Sequence, residues 1–285
     1  MNAYNIEGLK KLLKLNKRRA FFLAFGITAL CSLLVIYPLM YPSSDISTPP
    51  DYSHAIANAI DFFEDSRDPY ALLFLDVIYR RFGIVEFADA LHTFDQVLAE
   101  RPLIMNAMSV FRRIADHNNY PTDSDFFEAK KQGEANLFTI PALYCDRLGL
   151  PDDYPMMLDE AVNRGDYQLT HVLLAWIWIQ ENDCKLALPD GFIDDMYHSN
   201  AALINSDPFV TDLELEAAAF LYLAGQGTMV DDAFINRVID DQNIDGSWDP
   251  PNAYKWHATV LGLLLLLHVE YPADFYPPML APASK

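Results

Sequence analysis

Residues Asp231 to His268 read DDAFINRVIDDQNIDGSWDPPNAYKWHATVLGLLLLLH, an amphipathic stretch, a polar turn and then a strongly apolar stretch. The turn residues dictate a helical hairpin. Gly246 gives the backbone the freedom for a tight reversal, and Asp245 and Asp249 can accept bonds from nearby backbone N–H groups. Pro250 and Pro251 stop the first helix from continuing, and Asn252 can cap a second helix starting near Tyr254.

Working outward, the same alternation recurs. Helices are expected from Asp51 or Ser53 to about Asp65, from Asp68-Pro69 to Gly83, over 86–100 and over 102–116. Further ones are expected over 123–131, 137–148, 155–163, 166–180, 190–200 and 211–224. Almost nothing reads as a strand. The second helix of each pair is the more apolar, and these helices begin near positions 69, 102, 137, 166, 211 and 254. About six hairpins, with an apolar inner and an amphipathic outer set, give an all-α chain and the pattern of an α/α toroid; an open α-solenoid shares the alternation. Tyr167 to His171 before VLLAWIWI is echoed by Tyr254 to His257 before ATVLGLLLLL, each placing a His at the start of an inner helix.

The turn's core, Gln242 to Trp248 with Gly246 between, resembles the QW repeat of the terpenoid cyclase and protein prenyltransferase superfamily. The match spans one repeat, with Val238 near the motif's aliphatic place and Arg237 in its aromatic one. The resemblance implies an α/α toroid with Gln242, Gly246 and Trp248 as a structural motif, in which the Gln242 and Trp248 side chains clamp the end of one helix to the start of the next. The superfamily's catalytic signatures are missing. There is no Asp-x-Asp-Asp acid, since Phe126 follows Asp123-Ser124-Asp125. Asp183 and Cys184 are adjacent where the zinc pair has a spacer, and Asp240-Asp241 with Asp245 does not make the magnesium motif. With no Gly-rich phosphate loop and no Gly-x-Ser-x-Gly elbow, no cofactor and no metal are assigned.

Residues 20–41 contain no charged side chain and are long enough to cross a bilayer. Lys10, Lys11, Lys14, Lys17, Arg18 and Arg19 precede them, and the next basic residue is Arg67. By the positive-inside rule the N-terminus is cytoplasmic and the main domain periplasmic or extracellular; a cleaved signal peptide would need a shorter apolar run and an Ala-x-Ala site. The expected organisation is a basic amphipathic segment at 1–19, a transmembrane helix at 20–41, a polar linker at 42–50, one helical domain at 51–270 and a Pro-rich tail at 271–285. From Pro42 onward 14 basic residues face 39 acidic ones, a net of −25. Such a field disfavours nucleic acid and anionic lipid headgroups. Cys145 and Cys184 lie in the outer domain, where oxidising conditions permit a disulfide, but spacing alone gives no distance between them.

In a toroid the inner helices present their first turns at one mouth, where a site would gather. His257, Asp245 and Glu214 are the candidate catalytic residues. Trp248, Trp256, Tyr254, His171 and Tyr167 are candidate ligand contacts, and Asp212 and Asp68 stand at the same helix starts. Helix N-termini there should favour anions and lower the pKa of a His. Glu216 either faces this centre or pairs locally, and Asp76, in an apolar helix, pairs with Arg80 or faces a cavity. Three functions fit: a non-catalytic binding or scaffold domain at the membrane for a protein partner, apolar ligand or glycan; a polysaccharide hydrolase or lyase, needing two carboxylates across a cleft with aromatic platforms; and a divergent terpenoid-processing enzyme. The sequence leaves catalysis itself undecided.

Overall fold

The structure, a computed structural model, describes residues 52–100, 102–204, 209–250 and 253–282. The candidate transmembrane helix, the basic segment before it and the linker lie outside these residues. Among the described residues no helix is long and apolar enough to cross a membrane.

All regular structure among the described residues is helical. In chain order the helices are α1 (Tyr52–Phe62), α2 (Pro69–Phe82), α3 (Ala90–Glu100), α4 (Pro102–Phe111), α5 (Asp123–Lys131), α6 (Asn136–Leu143) and α7 (Cys145–Leu148). Then follow α8 (Tyr154–Arg164), α9 (Asp166–Glu181), α10 (Phe192–Leu203), α11 (Asp212–Leu223), α12 (Asp232–Asp240) and α13 (Lys255–Glu270). Local chemistry sets these bounds. Asp68 accepts from the backbone N–H groups of Tyr70 and Ala71 with Pro69 at the first helical position, and Gly83 closes α2 in the left-handed region. Thr122 with Asp125, and Thr211 with Glu214, form reciprocal capping boxes at α5 and α11.

Three expected helices are broken, the 102–116 segment among them, which passes from α4 into a 3-10 turn at Arg112–Ile114. The 86–100 segment splits into a 3-10 turn, Val85–Phe87, and α3. The 137–148 segment breaks at Tyr144 into α6 and α7. Pro141 inside α6 can donate no backbone bond. The carbonyl of Leu143 is drawn off by Arg113 Nε at 2.9 Å and, with that of Ala142, by Asn182 Nδ2 at 3.2 Å.

The apolar helices α9, α11 and α13 pack side by side, α6 lies against α9, and α13 also packs on α1 and α2. In α13 every residue from Ala258 to His268 is buried. Three aligned, nearly all-apolar helices cannot face water, which is why the amphipathic α8, α10 and α1 lie outside them.

The opening hairpin is pinned as its residues dictate. Gln242 Nε2 donates to the Ala55 carbonyl (2.8 Å) and the Gly246 carbonyl (3.0 Å), while Asn58 Nδ2 donates to Gln242 Oε1 at 3.3 Å. Trp248 Nε1 donates to the Val238 carbonyl at 2.7 Å. Gly246 does more than turn the chain: at φ 81° its backbone lies so close to α1 that a Cβ would stand 1.9 Å from the Asn58 carbonyl oxygen. Gly262 likewise leaves room for the Trp248 ring, which a Cβ would meet at 2.8 Å.

Cys145 and Cys184 form a disulfide with Cα atoms 6.1 Å apart, tying α7 to the chain leaving α9 across 39 residues. Spacing had given no reason to expect it. Closing a loop of that length stabilises by about 4 kcal/mol in the chain-entropy account.

The tail is extended and anchored. Glu181, in the last turn of α9, accepts from the backbone N–H groups of Met279 (2.7 Å) and Leu280 (2.8 Å). Arg80 donates to the Met279 carbonyl at 2.8 Å, and Ala281 N–H to the Ile114 carbonyl at 2.8 Å. Met279 and Leu280 are buried, so the tail covers the C-terminal ends of α2 and α9.

Candidate functional site

The N-terminal turns of α9, α11 and α13 meet around one carboxylate. Asp212 and Glu216 stand one turn apart on the same face of α11. His257, in the first turn of α13, lies between them. Its Nδ1 is 2.9 and 3.0 Å from the two carboxylate oxygens of Asp212, and its Nε2 is 3.3 Å from Glu216 Oε2. From α9, Thr170 donates its hydroxyl to Glu216 Oε1, and His171 Nδ1 stands 3.2 Å from the same oxygen. Tyr167 Oη donates to Asp212 at 2.8 Å. Glu216's side chain is 1% exposed, and its Oε2 receives no aligned hydrogen bond.

Burial alone would discharge these groups. It opposes the charged form of His257, but the carboxylates of Asp212 and Glu216 outweigh it and hold the imidazole protonated, its pKa raised to about 10. Burial likewise pushes Glu216 towards its neutral form, and the two imidazoles reverse this, keeping the carboxyl well below the usual range. His171 is raised against burial by Glu216. The expectation of a lowered His pKa at these helix starts is therefore corrected: two carboxylates in direct contact outweigh a helix dipole worth about 0.3–1 kcal/mol.

At the same end, Tyr70 and Trp256 stack with ring centres 5.8 Å apart, and Tyr70 Oη donates to Gln132 at 3.1 Å. Tyr254 holds the N-cap position of α13 and is 76% exposed; Asn252, the expected cap, lies outside the described residues.

The structure brings His257, His171, Tyr167 and Asp212 together with Glu216. Glu214 turns back to the Thr211 backbone N–H at 2.8 Å and lies 3.7 Å from Arg237. Asp245 stays in the hairpin turn, bonded to Ser247 and, at 2.7 Å, to Lys255 Nζ. Trp248 is buried between helices. Asp76 pairs with Arg80 at 2.8 Å, and Asp68 caps α2. Thr170 escaped the sequence reading, and Glu216 was no more than an ambiguous acid in it. The available signals were the i, i+4 spacing of Asp212 and Glu216 and the Thr170-His171 pair. Family models, curated proteins and solved structures were all compared with the chain, and none matches.

Proposed function

We propose that this is a non-catalytic binding domain, held by the apolar 20–41 segment on the outer side of a membrane. In this reading the hairpins close into an α/α ring whose N-terminal mouth is the binding face. Closure is supported by the packing of α13 on α1 and α2, which brings the end of the helical series back to its start. The observation that carries the non-catalytic reading is the position of His257. Cleavage of a glycosidic bond needs two carboxyls flanking the substrate, roughly 5–10 Å apart. Here the space between Asp212 and Glu216 is taken by an imidazole ring bonded towards both. Two carboxylates in such contact give an apolar terpenoid little reason to settle there.

The rim favours a glycan as ligand. The Tyr70–Trp256 pair and the exposed Tyr254 and Tyr167 offer aromatic faces beside polar groups, the combination that stacks on sugar rings. The full-length chain is tested by affinity electrophoresis on a panel of neutral and acidic polysaccharides, with product assays alongside. Retardation that Tyr254→Ala and Tyr70→Ala weaken, without product formation, is the expected result. Product formation abolished by Glu216→Gln would replace this reading with the hydrolase or lyase one.

A further inference from the structure

The geometry points to a divalent-cation site formed by Asp212, Glu216 and His257, with Thr170 and His171 positioning Glu216. It deepens the binding reading of the same mouth but stands on separate observations. One atom from each of the three residues lies within 4.8 Å of the others. His257 Nδ1 lies 2.9 Å from Asp212, the separation of neighbouring ligands around one ion, while the 3.3 Å approach to Glu216 is made by the other ring nitrogen, Nε2, so Glu216 joins the set through the 4.8 Å envelope alone. Metal–ligand bonds of about 2.0–2.2 Å place adjacent donors about 3.0–3.4 Å apart.

Two independent features separate this cluster from an ordinary acidic patch. Glu216 is fully buried, and its Oε2 accepts no aligned hydrogen bond, the nearest donor being His257 Nε2 at 3.3 Å. A buried carboxylate oxygen with a poorly aligned donor keeps part of a desolvation cost of about 1–3 kcal/mol, which a cation would offset. Glu216 Oε1, by contrast, is fixed by Thr170 and His171, and Asp212 is fixed by Tyr167. Ligands whose second atoms are held by hydrogen bonds are what a metal site needs to keep its geometry. The donor set of one imidazole and two carboxylates suits a first-row divalent ion such as Zn2+ or Mn2+. On binding, the cation takes the place of the proton between His257 and the carboxylates, so a proton is released.

The test is calorimetric titration of the tag-free, chelator-treated full-length chain with Zn2+. We expect one ion per chain, binding weakened more than about 100-fold by Glu216→Gln and about 10-fold by Thr170→Ala. His198→Ala, at an exposed position of α10, should leave it unchanged. Absence of saturable binding, or equal affinity in the Glu216→Gln and wild-type chains, overturns the proposal. Should Glu216→Gln not fold, zinc-edge X-ray absorption of the wild type decides. A nitrogen and oxygen shell with imidazole scattering supports the site, and a sulfur-containing or imidazole-free shell rejects it. The two readings of the mouth fail separately: lost Zn2+ binding with glycan retardation kept removes the cation alone, and zinc-dependent product formation removes the non-catalytic reading alone.

Discussion

His257 and His268 lie about three helical turns apart on α13, the first partly and the second fully buried, yet they hold opposite charge states. The first is kept protonated by Asp212 and Glu216, with a pKa raised to about 10. The second is kept neutral, with a pKa lowered to about 3 by burial and by the Arg81 guanidinium. The helix dipole would order them the other way, favouring a cation at the C-terminal end. What decides is which groups the neighbouring helices bring within 3–4 Å. At the N-terminal end these are carboxylates. At the C-terminal end His268 Nδ1 donates to the Leu264 carbonyl (2.7 Å), and Nε2 must stay an acceptor for Arg81 Nε (3.0 Å). The two ends of one bundle thus do different work. One gathers compensating charges around a buried carboxylate, and the other is sealed by the tail, with Trp178 Nε1 pointing at the Met279 sulfur at 3.4 Å.

Breaking the N-terminal side should have the largest effect. Glu216→Ala leaves two imidazoles without their shared partner, and removing one member of a buried ion pair costs about 3–5 kcal/mol. Urea denaturation of the chelator-treated chain at pH 7.5 measures it. A loss below about 1 kcal/mol would mean that His257 and His171 do not depend on Glu216, and the contrast between the two ends would reduce to burial alone.

The C-terminal side is probed by pH. Because the folded-state pKa of His268 is depressed, the folded protein binds its proton less readily than the unfolded chain does. Stability from this residue is intact above about pH 6.5 and is lost as pH falls towards 3. Between pH 6.5 and 5 the loss is about 2 kcal/mol, from 1.36 kcal/mol per unit. His268→Asn should flatten the stability–pH curve in that window relative to wild type, even if the variant is less stable at pH 7. Equal slopes for the two proteins would show that the fold binds the His268 proton as readily as the unfolded chain does.

Much of this arrangement is legible from the residues. Pro69, Pro102 and Gly83 mark helix ends directly, and the apolar runs of α9 and α13 announce their burial. Within α11 a finer reading was available. Thr211 and Glu214 have the spacing of a capping box, which commits Glu214 to its own helix start. That leaves Glu216 as the acid free to face its neighbours. The sequence reading favoured Glu214 because both acids look alike without a geometry. Other features depend on long-range approach that local patterns do not encode. The Cys145–Cys184 distance, the break at Tyr144 and the covering of the C-terminal ends by Met279 and Leu280 are set by which helices meet, and spacing along the chain does not specify this.

The smallest effect sharpens the comparison. Gln242 joins α1 to the turn that feeds the first turn of α13, through bonds to the Ala55 and Gly246 carbonyls and from Asn58. It touches neither histidine. Gln242→Ala removes these bonds at a partly solvated site and should cost about 1 kcal/mol, the net worth of a typical hydrogen bond. Its influence should fall off along the helix, because His257 sits beside the loosened turn while His268 is held by Arg81 and Leu264 at the far end. In imidazole NMR spectra the His257 signals should therefore shift or broaden while those of His268 stay in place. Equal perturbation of both would mean that α13 moves as a rigid rod and that its two ends are mechanically coupled; perturbation of neither would mean that Trp248, through Val238, holds the turn without Gln242.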